Sequence, residues 1–296
     1  MTQTAAIKAI DLCCGAGGWA VAARGLPIRI THAFDRWSEA AKTYQINHPA
    51  TQVALGDLRD PMHLENLIRS LRGQVDLVLG GIPCEWVSIY RNGWNPRTKV
   101  GEKERGEQRE LLDNCLAIVR ALAPRWWCLE DVVGLEKELP LPIPRRVIDA
   151  ADYSPQNRRR LYVGDFPPPA PGRSGETSGA RLRPGPYRVG PRQWSRVVTS
   201  SCQYDGKSTA GLCPDRKSPT VCDFGSRRDA ELAVVNPRLP GGKRQVEWQE
   251  AARLQGFPED YLFFGAPTAV WKMIAQAIQI DTGRAILEAI CREASG

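Results

Sequence analysis

Cys84 stands where the sequence predicts the end of a buried strand, and its thiol is the group best suited to covalent chemistry. Residues 75–79 form an apolar run, and the pair Gly80 and Gly81 then predicts that the strand ends in a sharp turn. Pro83 restricts the backbone just before the thiol. Because catalytic groups collect at the carboxyl edge of an open α/β sheet, the position favours nucleophilic catalysis by Cys84. A free cysteine is otherwise most often a small buried hydrophobe, and this alternative stays open at this point.

A carboxyl group and a basic turn are predicted at the same edge. The apolar run 126–129 predicts a strand that ends at Glu130. Residues 147–151 and 161–164 predict two further strands, and the turn between them ends in three consecutive arginines, residues 158–160. The predicted arrangement therefore brings a thiol, a carboxyl group and guanidinium groups together.

A glycine-rich turn after the first predicted strand is typical of a nucleotide pocket. Residues 7–12 predict the strand, residues 13–18 the turn and residues 19–24 the start of a helix. Glycines let the backbone approach a ligand closely, and a helix N-terminus offers unpaired N–H groups. By itself the pattern fits an ordinary strand-to-helix turn equally well. The candidate cofactor residues here are Asp11, Leu12, Cys13, Gly15, Ala16, Gly17 and Gly18.

Two acidic residues after the next predicted strands strengthen that interpretation. Strand 28–34 ends at Asp35, about 20 residues after the glycine turn, where nucleotide-binding folds place the acid that holds ribose hydroxyls. A short strand, 53–55, leads to Asp57, which is either an acceptor for an adenine amino group or a solvated turn residue. The neighbouring Arg36 and Leu58 join the candidate cofactor set.

The remaining pattern predicts several helices and one long loop. Helices are predicted at residues 38–46 with Ser38 as the cap, 110–122, 247–254, 268–280 and 284–291. Residues 89–109 are polar with mixed charge, which predicts a mobile lid beside Cys84 or a solvated surface loop. Short strands are predicted at residues 196–199 and 220–224.

A change of composition near Pro167 predicts a domain boundary. A stretch rich in Pro, Gly, Ser and Arg begins there. We expect an α/β domain formed by residues 1–166 with 266–296, and a smaller irregular domain formed by residues 167–265. A chain of 296 residues with 42% hydrophobic composition is long enough for two such domains.

Charge and cysteine usage narrow the class of protein. A formal net charge of +7 and a pI near 9.0 suit a polyanionic partner, although many basic proteins bind no nucleic acid. Nine cysteines without a C-x-x-C pair, beside three histidines, favour neither a disulfide framework nor a metal site. The start of the chain lacks a signal-peptide layout and no apolar run reaches the roughly 20 residues of a membrane helix, so we expect a cytoplasmic protein with no membrane partner.

Five motifs in order resemble those of the DNA (cytosine-5) methyltransferase family. They are DLCCGAGG at 11–18, GGIPCEWVS at 80–88, LEDV at 129–132, PQNRRR at 155–160 and EAARLQGFP at 250–258. They resemble, in turn, the cofactor loop, the nucleophile motif, the glutamate motif usually written ENV, the QxRxR motif and the late motif that packs the small domain. The resemblance implies a Rossmann-like S-adenosylmethionine-dependent methyltransferase domain and a DNA-binding target-recognition domain at 167–265.

The resemblance also implies a role for each predicted site residue. Cys84, behind Pro83, would add as a thiolate to carbon 6 of a cytosine flipped out of the duplex, which activates carbon 5 for methylation. Glu130 would protonate N3 and accept from the exocyclic amine. Arg160 would hold the cytosine carbonyl oxygen, and Arg158 would brace the site. The expected contacts to double-stranded DNA are Ser88, Arg91, Arg97 and Gln156.

Departures from the family pattern keep other functions open. The departures are Ile82 for proline, Glu85-Trp86-Val87 for Gln-Gly-Phe, Asp131 for asparagine and Ala275-Gln276 in place of Gly-Asn. A catalytically silent relative that binds DNA or cofactor, a C5 transferase that acts on RNA, and one that uses a modified methionine donor are the alternatives. We otherwise expect a nucleoid-associated monomer, working beside a restriction endonuclease in a restriction-modification system.

Overall fold

Two compact units make up the chain in the computed structural model, which describes residues 6–83, 102–140, 142–172, 211–212, 233–235, 243–245 and 248–296. The first unit comprises residues 1–148, 159–170 and 283–296, and the second comprises residues 149–158 and 171–282. These boundaries differ from those of the predicted domains, and the assignment of catalysis and DNA recognition to separate domains stays a prediction. Within the described ranges, no helix combines the length and the apolar character needed to cross a membrane.

A seven-stranded sheet organises the first unit. Its strands, β1 to β7 in chain order, are Ile7–Leu12, Ile28–Asp35, Gln52–Leu55, Leu77–Gly81, Trp126–Asp131, Arg145–Asp149 and Arg159–Val163. Their order across the sheet is β3-β2-β1-β4-β5-β7-β6. Neighbours among β1 to β5 pair in parallel, whereas β7 runs antiparallel to β5. The predicted α/β fold is confirmed, and the carboxyl ends of five strands share one edge.

Helix α4 supports the strands that carry the predicted site. The helices of the described ranges, α1 to α7, are Gly18–Ala22, Ser38–Asn47, Pro61–Leu71, Glu102–Leu122, Trp248–Gln255, Pro267–Gln276 and Ile280–Ser295. The buried face of α4 carries Leu111, Leu112, Cys115, Leu116, Ile118, Val119 and Leu122. This face shares one core cluster with Leu12, Val78 and Leu129 of the sheet. Burial of each large aliphatic side chain contributes about 1.5–3 kcal/mol to the stability of the fold, so α4 stabilises the strands against which it packs.

Helix α4 begins at Glu102 rather than at the predicted residue 110. The loop prediction is therefore wrong for residues 102–109. The reason is that Glu, Lys, Arg and Gln are strong helix formers, and Glu102 and Glu104 lie in the first turn, where the helix dipole favours negative charge. Residues 89–101 lie outside the described residues, and the lid stays a prediction there.

The glycine pair continues strand β4 instead of ending it. Gly80 and Gly81 both pair with β5. A Cβ on Gly80 would lie 2.8 Å from Cδ2 of Leu129 and 3.0 Å from the carbonyl oxygen of Leu12. Glycine is thus required by the close packing of β4 between its neighbours and not by a turn. Strand β5 also continues past its predicted end, as far as Asp131.

The start of α2 differs from the predicted one, and α3 was not predicted. Ser38 is the first helical residue of α2 and not its cap; Trp37 occupies the cap position and makes no side-chain capping bond. Helix α3 is missed altogether, although its start carries a recognisable signal. Asp60 accepts hydrogen bonds from two N–H groups of the first turn, and Pro61 is the first helical residue.

The second unit contains α5, α6 and a small sheet. The strands of that sheet are β8, Gly211–Leu212, β9, Ala233–Val235, and β10, Lys243–Gln245, in the order β10-β9-β8. Helix α5 ends as predicted before Gly256, whose φ of 97° is in the left-handed region. The strands predicted at 196–199 and 220–224 lie outside the described residues.

Candidate active site

The turn after β1 has a backbone suited to ligand binding. Cys13, Gly15 and Gly17 have φ angles of 51°, 53° and 90°. A Cβ on Gly15 would meet no described atom within 4 Å, so the turn borders open space. Its far end is fixed by the buried Trp19, whose Nε1 donates to the carbonyl oxygen of Gly80 at 3.2 Å. The hydrogen bond therefore ties the turn to β4, while the space beside Gly15 is open.

Asp35 fastens this turn to the end of β2. Its Oδ2 accepts from the N–H of Gly15 and its Oδ1 from the N–H of Trp37, both at 2.8 Å. Burial raises the pKa of Asp35, and the backbone N–H donors act in the opposite direction. Each carboxylate oxygen keeps a second lone pair, so Asp35 can still accept from a ribose hydroxyl.

Several residues of the predicted cofactor set are buried. Leu12, Ala16 and Gly18 are buried. Asp11 is fully buried, and burial, reinforced by the charge of Asp35, raises its pKa well above the usual range. The hydroxyl of Tyr44 acts against this rise. Contact between Asp11 and the cofactor stays a prediction.

Asp57 lies just beyond β3 and is paired with two arginines. Nη2 of Arg59 lies 2.5 Å from Oδ2 of Asp57, and Nη1 of Arg36 lies 3.5 Å from the same oxygen. The hydrogen bond from Arg59 lowers the pKa of Asp57 to about 2, so the carboxylate is ionised at neutral pH. Arg36 belongs to the predicted cofactor set, whereas Arg59 does not. The sequence does carry a signal for this contact, because Asp57 and Arg59 are opposite charges two residues apart in a predicted turn.

Glu130 and Arg160 meet at the carboxyl edge of the sheet. Nε of Arg160 lies 3.2 Å from Oε1 of Glu130, and the two side chains are 16% and 5% exposed. The N–H of Ile82 donates to the carbonyl oxygen of Glu130 at 3.1 Å, and Pro83 follows directly. The chain therefore leaves β4 toward Cys84 alongside the residue that carries this carboxylate.

Asp131, at the position of the family's asparagine, is buried next to that pair. Its Oδ1 accepts from the N–H of Val132 at 2.5 Å, while its Oδ2 is enclosed and makes no hydrogen bond with the described residues. Burial, reinforced by the charge of Glu130, raises the pKa of Asp131 well above the usual range, and Arg160 opposes this. When protonated, Asp131 can donate a hydrogen bond through its carboxyl O–H, as an asparagine at this position would through its side-chain amide.

Arg158 and Gln156 belong to a buried network in the second unit. Nη2 of Arg158 donates to the carbonyl oxygens of Ala275 and Ala277, both at 3.1 Å. Nε2 of Gln156 donates to Oε1 of Gln255 at 3.3 Å, and Nε2 of Gln255 donates to Ala277 at 2.6 Å. The network joins two of the five motifs to the end of α6 and includes Gln255, which is not among the predicted site residues. Catalytic bracing by Arg158 and DNA contact by Gln156 stay predictions.

Four predicted site residues cannot be located in this geometry. Cys84, Ser88, Arg91 and Arg97 lie outside the described residues. Their roles as nucleophile and as DNA contacts stay predictions.

Most of the chain is similar to known proteins. The family model of C-5 cytosine-specific DNA methylases matches residues 7–139 and 196–292. The Type II methyltransferase M.AgeI of Thalassovita gelatinovora is 28% identical over 176 residues, which are 53% of this chain and 39% of that protein. The Type II methyltransferase M.HindV of Haemophilus influenzae is 24% identical, over 96% of each chain.

The fold has a close counterpart among solved structures. The crystal structure of the S. pombe Dnmt2 methyltransferase matches with a TM-score of 0.66 at 14% sequence identity, covering 98% of this chain and 99% of that one. At this identity the likeness bears on the fold alone. The predicted Rossmann-like architecture is confirmed.

Proposed function

The chain belongs to the C-5 cytosine-specific DNA methylase family and is a DNA (cytosine-5)-methyltransferase, and we propose that it acts through a covalent adduct between Cys84 and carbon 6 of a flipped-out cytosine. One observation carries this mechanism. The Glu130–Arg160 pair, with its 3.2 Å contact, lies at the strand edge from which the chain continues to Pro83 and Cys84. This supports the proposal, because an acid and a cation suited to binding a base lie at the end of β4, which leads into the nucleophile motif.

The thiol is needed because carbon 5 of cytosine is a poor nucleophile. Addition of the Cys84 thiolate to carbon 6 moves electron density onto carbon 5, and Glu130 neutralises the ring by giving a proton to N3. Arg160 has five N–H donors, so it can bind Glu130 and the cytosine carbonyl oxygen together. S-adenosylmethionine, when bound, supplies the methyl group. Loss of the carbon 5 proton to solvent then re-forms the double bond between carbons 5 and 6 and releases Cys84 as a thiolate, while N3 returns its proton to Glu130.

We assign the cofactor to the turn at residues 13–18 and the acids that follow β2 and β3. The open space at Gly15 accommodates a ligand beside the backbone. The spare lone pairs of Asp35 suit ribose hydroxyls, and the ionised Asp57 suits an adenine amino group. These residues would orient the donor toward the edge that carries Glu130.

We assign DNA binding to four residues of the predicted site and to the second domain. Ser88, Arg91, Arg97 and Gln156 would contact the duplex, and residues 167–265 would select the sequence through base edges. The net charge of +7 suits this polyanion. We further propose a cytoplasmic, nucleoid-associated monomer. Action beside a restriction endonuclease is in keeping with the Type II names of the relatives.

The proposal is tested by product analysis. The purified protein is incubated with S-adenosylmethionine and unmodified duplex DNA of mixed sequence, and the nucleosides are analysed by mass spectrometry. We expect 5-methyldeoxycytidine from the wild type and from Cys291→Ala, which alters a partly exposed thiol on α7, but none from Cys84→Ala.

Calorimetry with S-adenosylhomocysteine verifies that Cys84→Ala keeps a formed cofactor site. Turnover by that variant would overturn the covalent mechanism. The same assay is repeated with RNA, and methylation of cytosine in RNA but not in DNA would show that RNA is the substrate in place of DNA.

A further inference from the structure

The turn that carries Asp57 is fastened on either side of that residue. The N–H of Gly56 donates to the carbonyl oxygen of Asp35 at 2.9 Å. Nδ2 of Asn114, on α4, donates to the carbonyl oxygen of Leu58 at 3.0 Å. The backbone that presents Asp57 is therefore fixed to both β2 and α4.

Arg59 then fixes the Asp57 side chain itself. Its Nε lies 3.0 Å from Oδ1 and 3.1 Å from Oδ2, its Nη2 lies 2.5 Å from Oδ2, and its own N–H donates to Oδ1 at 3.0 Å. Nη1 points the other way and lies 2.9 Å from Oε2 of Glu107 on α4. The Arg59 side chain is only 20% exposed, so solvent competes weakly for these bonds. The guanidinium is clamped between two carboxylates and cannot turn without breaking one of the pairs.

We propose that Arg59 is a positioning residue that fixes the Asp57 carboxylate for the 6-amino group of a purine, and so makes the protein prefer an adenine over a 6-oxopurine in its cofactor. The inference rests on the proposed function, which places S-adenosylmethionine at this edge. A 6-amino group donates to a fixed carboxylate, whereas a 6-oxo group presents a second acceptor. A carboxylate free to rotate could turn away from the oxo group, and discrimination would be lost.

The test compares two ligands that differ only in the purine, at the group on carbon 6 and in the proton that the 6-oxo form carries on N1. Calorimetry without DNA measures the affinities for S-adenosylhomocysteine and for S-inosylhomocysteine, its 6-oxo analogue. We expect the wild type to prefer the adenosyl ligand by about 10-fold or more, and Arg59→Gln to reduce that preference to roughly 1- to 3-fold. Arg59→Lys should do the same while keeping the charge, because a single ammonium cannot replace the fork. Arg69→Gln, which removes an exposed arginine on α3, should retain the wild-type preference.

A double-mutant cycle shows whether Arg59 acts through Asp57. Asp57→Ala should abolish the preference, and Arg59→Gln added to it should change nothing further. An equal loss of affinity for both ligands in Arg59→Gln or Arg59→Lys would make Arg59 a structural brace and overturn the proposal. A wild type without preference would overturn it too, whereas only the methylation assay decides the proposed function.

Discussion

Glu130 and Arg160 are diagonal neighbours on one face of the antiparallel β5–β7 pair. Glu130 stands opposite Tyr162, so Arg160 lies two residues along from the position directly across, on the same face. A long side chain spans that diagonal, and Nε of Arg160 reaches Oε1 of Glu130 at 3.2 Å. The pairing of two strands thus sets the distance between the acid and the cation.

Glu130→Gln should slow methyl transfer by about 10²- to 10⁴-fold, because the amide keeps the shape but cannot give a proton to N3. Single-turnover transfer of a labelled methyl group to DNA measures the step. Glu136→Gln, at an exposed residue, is the matched control and should leave the rate unchanged. A wild-type rate for Glu130→Gln would remove this residue from the acid role.

Gly164→Ala should disturb the β5–β7 pairing and with it the active site. Gly164 has φ of 150°, and a Cβ there would lie 2.0 Å from the carbonyl oxygen of Trp127. Such a clash with backbone should lower the free energy of unfolding by about 3 kcal/mol or more. Gly106→Ala, in helix α4 with no described atom near its Cβ position, should instead stabilise by roughly 0.5–1 kcal/mol. Denaturant unfolding of both variants measures these opposite changes, and equal stabilities would contradict the geometry.

Asp131→Asn should weaken the pH dependence of stability. The folded-state pKa of Asp131 is raised, so its contribution is fully present below the unfolded value of about 3.9 and is lost as pH rises through the folded value. Between pH 5 and pH 8 the melting temperature of the wild type should therefore fall further than that of Asp131→Asn. Each kcal/mol of stability lost should lower the melting temperature by about 2–4 °C. Thermal unfolding at constant ionic strength measures this, with Asp165→Asn as an exposed control. Parallel curves for wild type and Asp131→Asn would show that Asp131 ionises freely in the folded protein.

Asp35→Ala should weaken cofactor binding by about 10-fold or more, because the N–H groups of Gly15 and Trp37 lose their acceptor and the turn loosens. Calorimetry with S-adenosylhomocysteine measures the affinity. Asp76→Ala removes an exposed carboxylate that accepts from the N–H of Lys8 near the opposite edge of the sheet, and should bind normally. An unchanged affinity in Asp35→Ala would leave Asp35 as a structural turn residue.

The sequence allowed the sheet of the first unit to be predicted well, because its parallel strands are short apolar runs bounded by turn residues. Strand β1 spans the predicted residues 7–12, and Glu130 and Asp35 lie at predicted strand ends. The family resemblance of the five motifs is confirmed by the match of the family model. Patterns of this kind report burial along the chain, and burial decides where strands form.

Features that depend on contacts between distant segments were not predictable in this way. The polar first turns of α4 are a separate case, because strong helix formers build them without a buried residue and an apolar pattern therefore does not indicate them. The requirement for glycine at Gly80 comes from Leu129 and Leu12, both far away in sequence. The link from Arg59 to Glu107 joins residues 48 positions apart. Such pairings exist only once the chain has folded.

The bond from the Trp19 indole to the carbonyl of Gly80 joins the turn that we assign to the cofactor to strand β4. Both partners are buried, so their relative placement is settled before any ligand arrives. In the proposed mechanism, the conformational freedom of the turn and of β4 is therefore lost during folding and not again at every catalytic cycle.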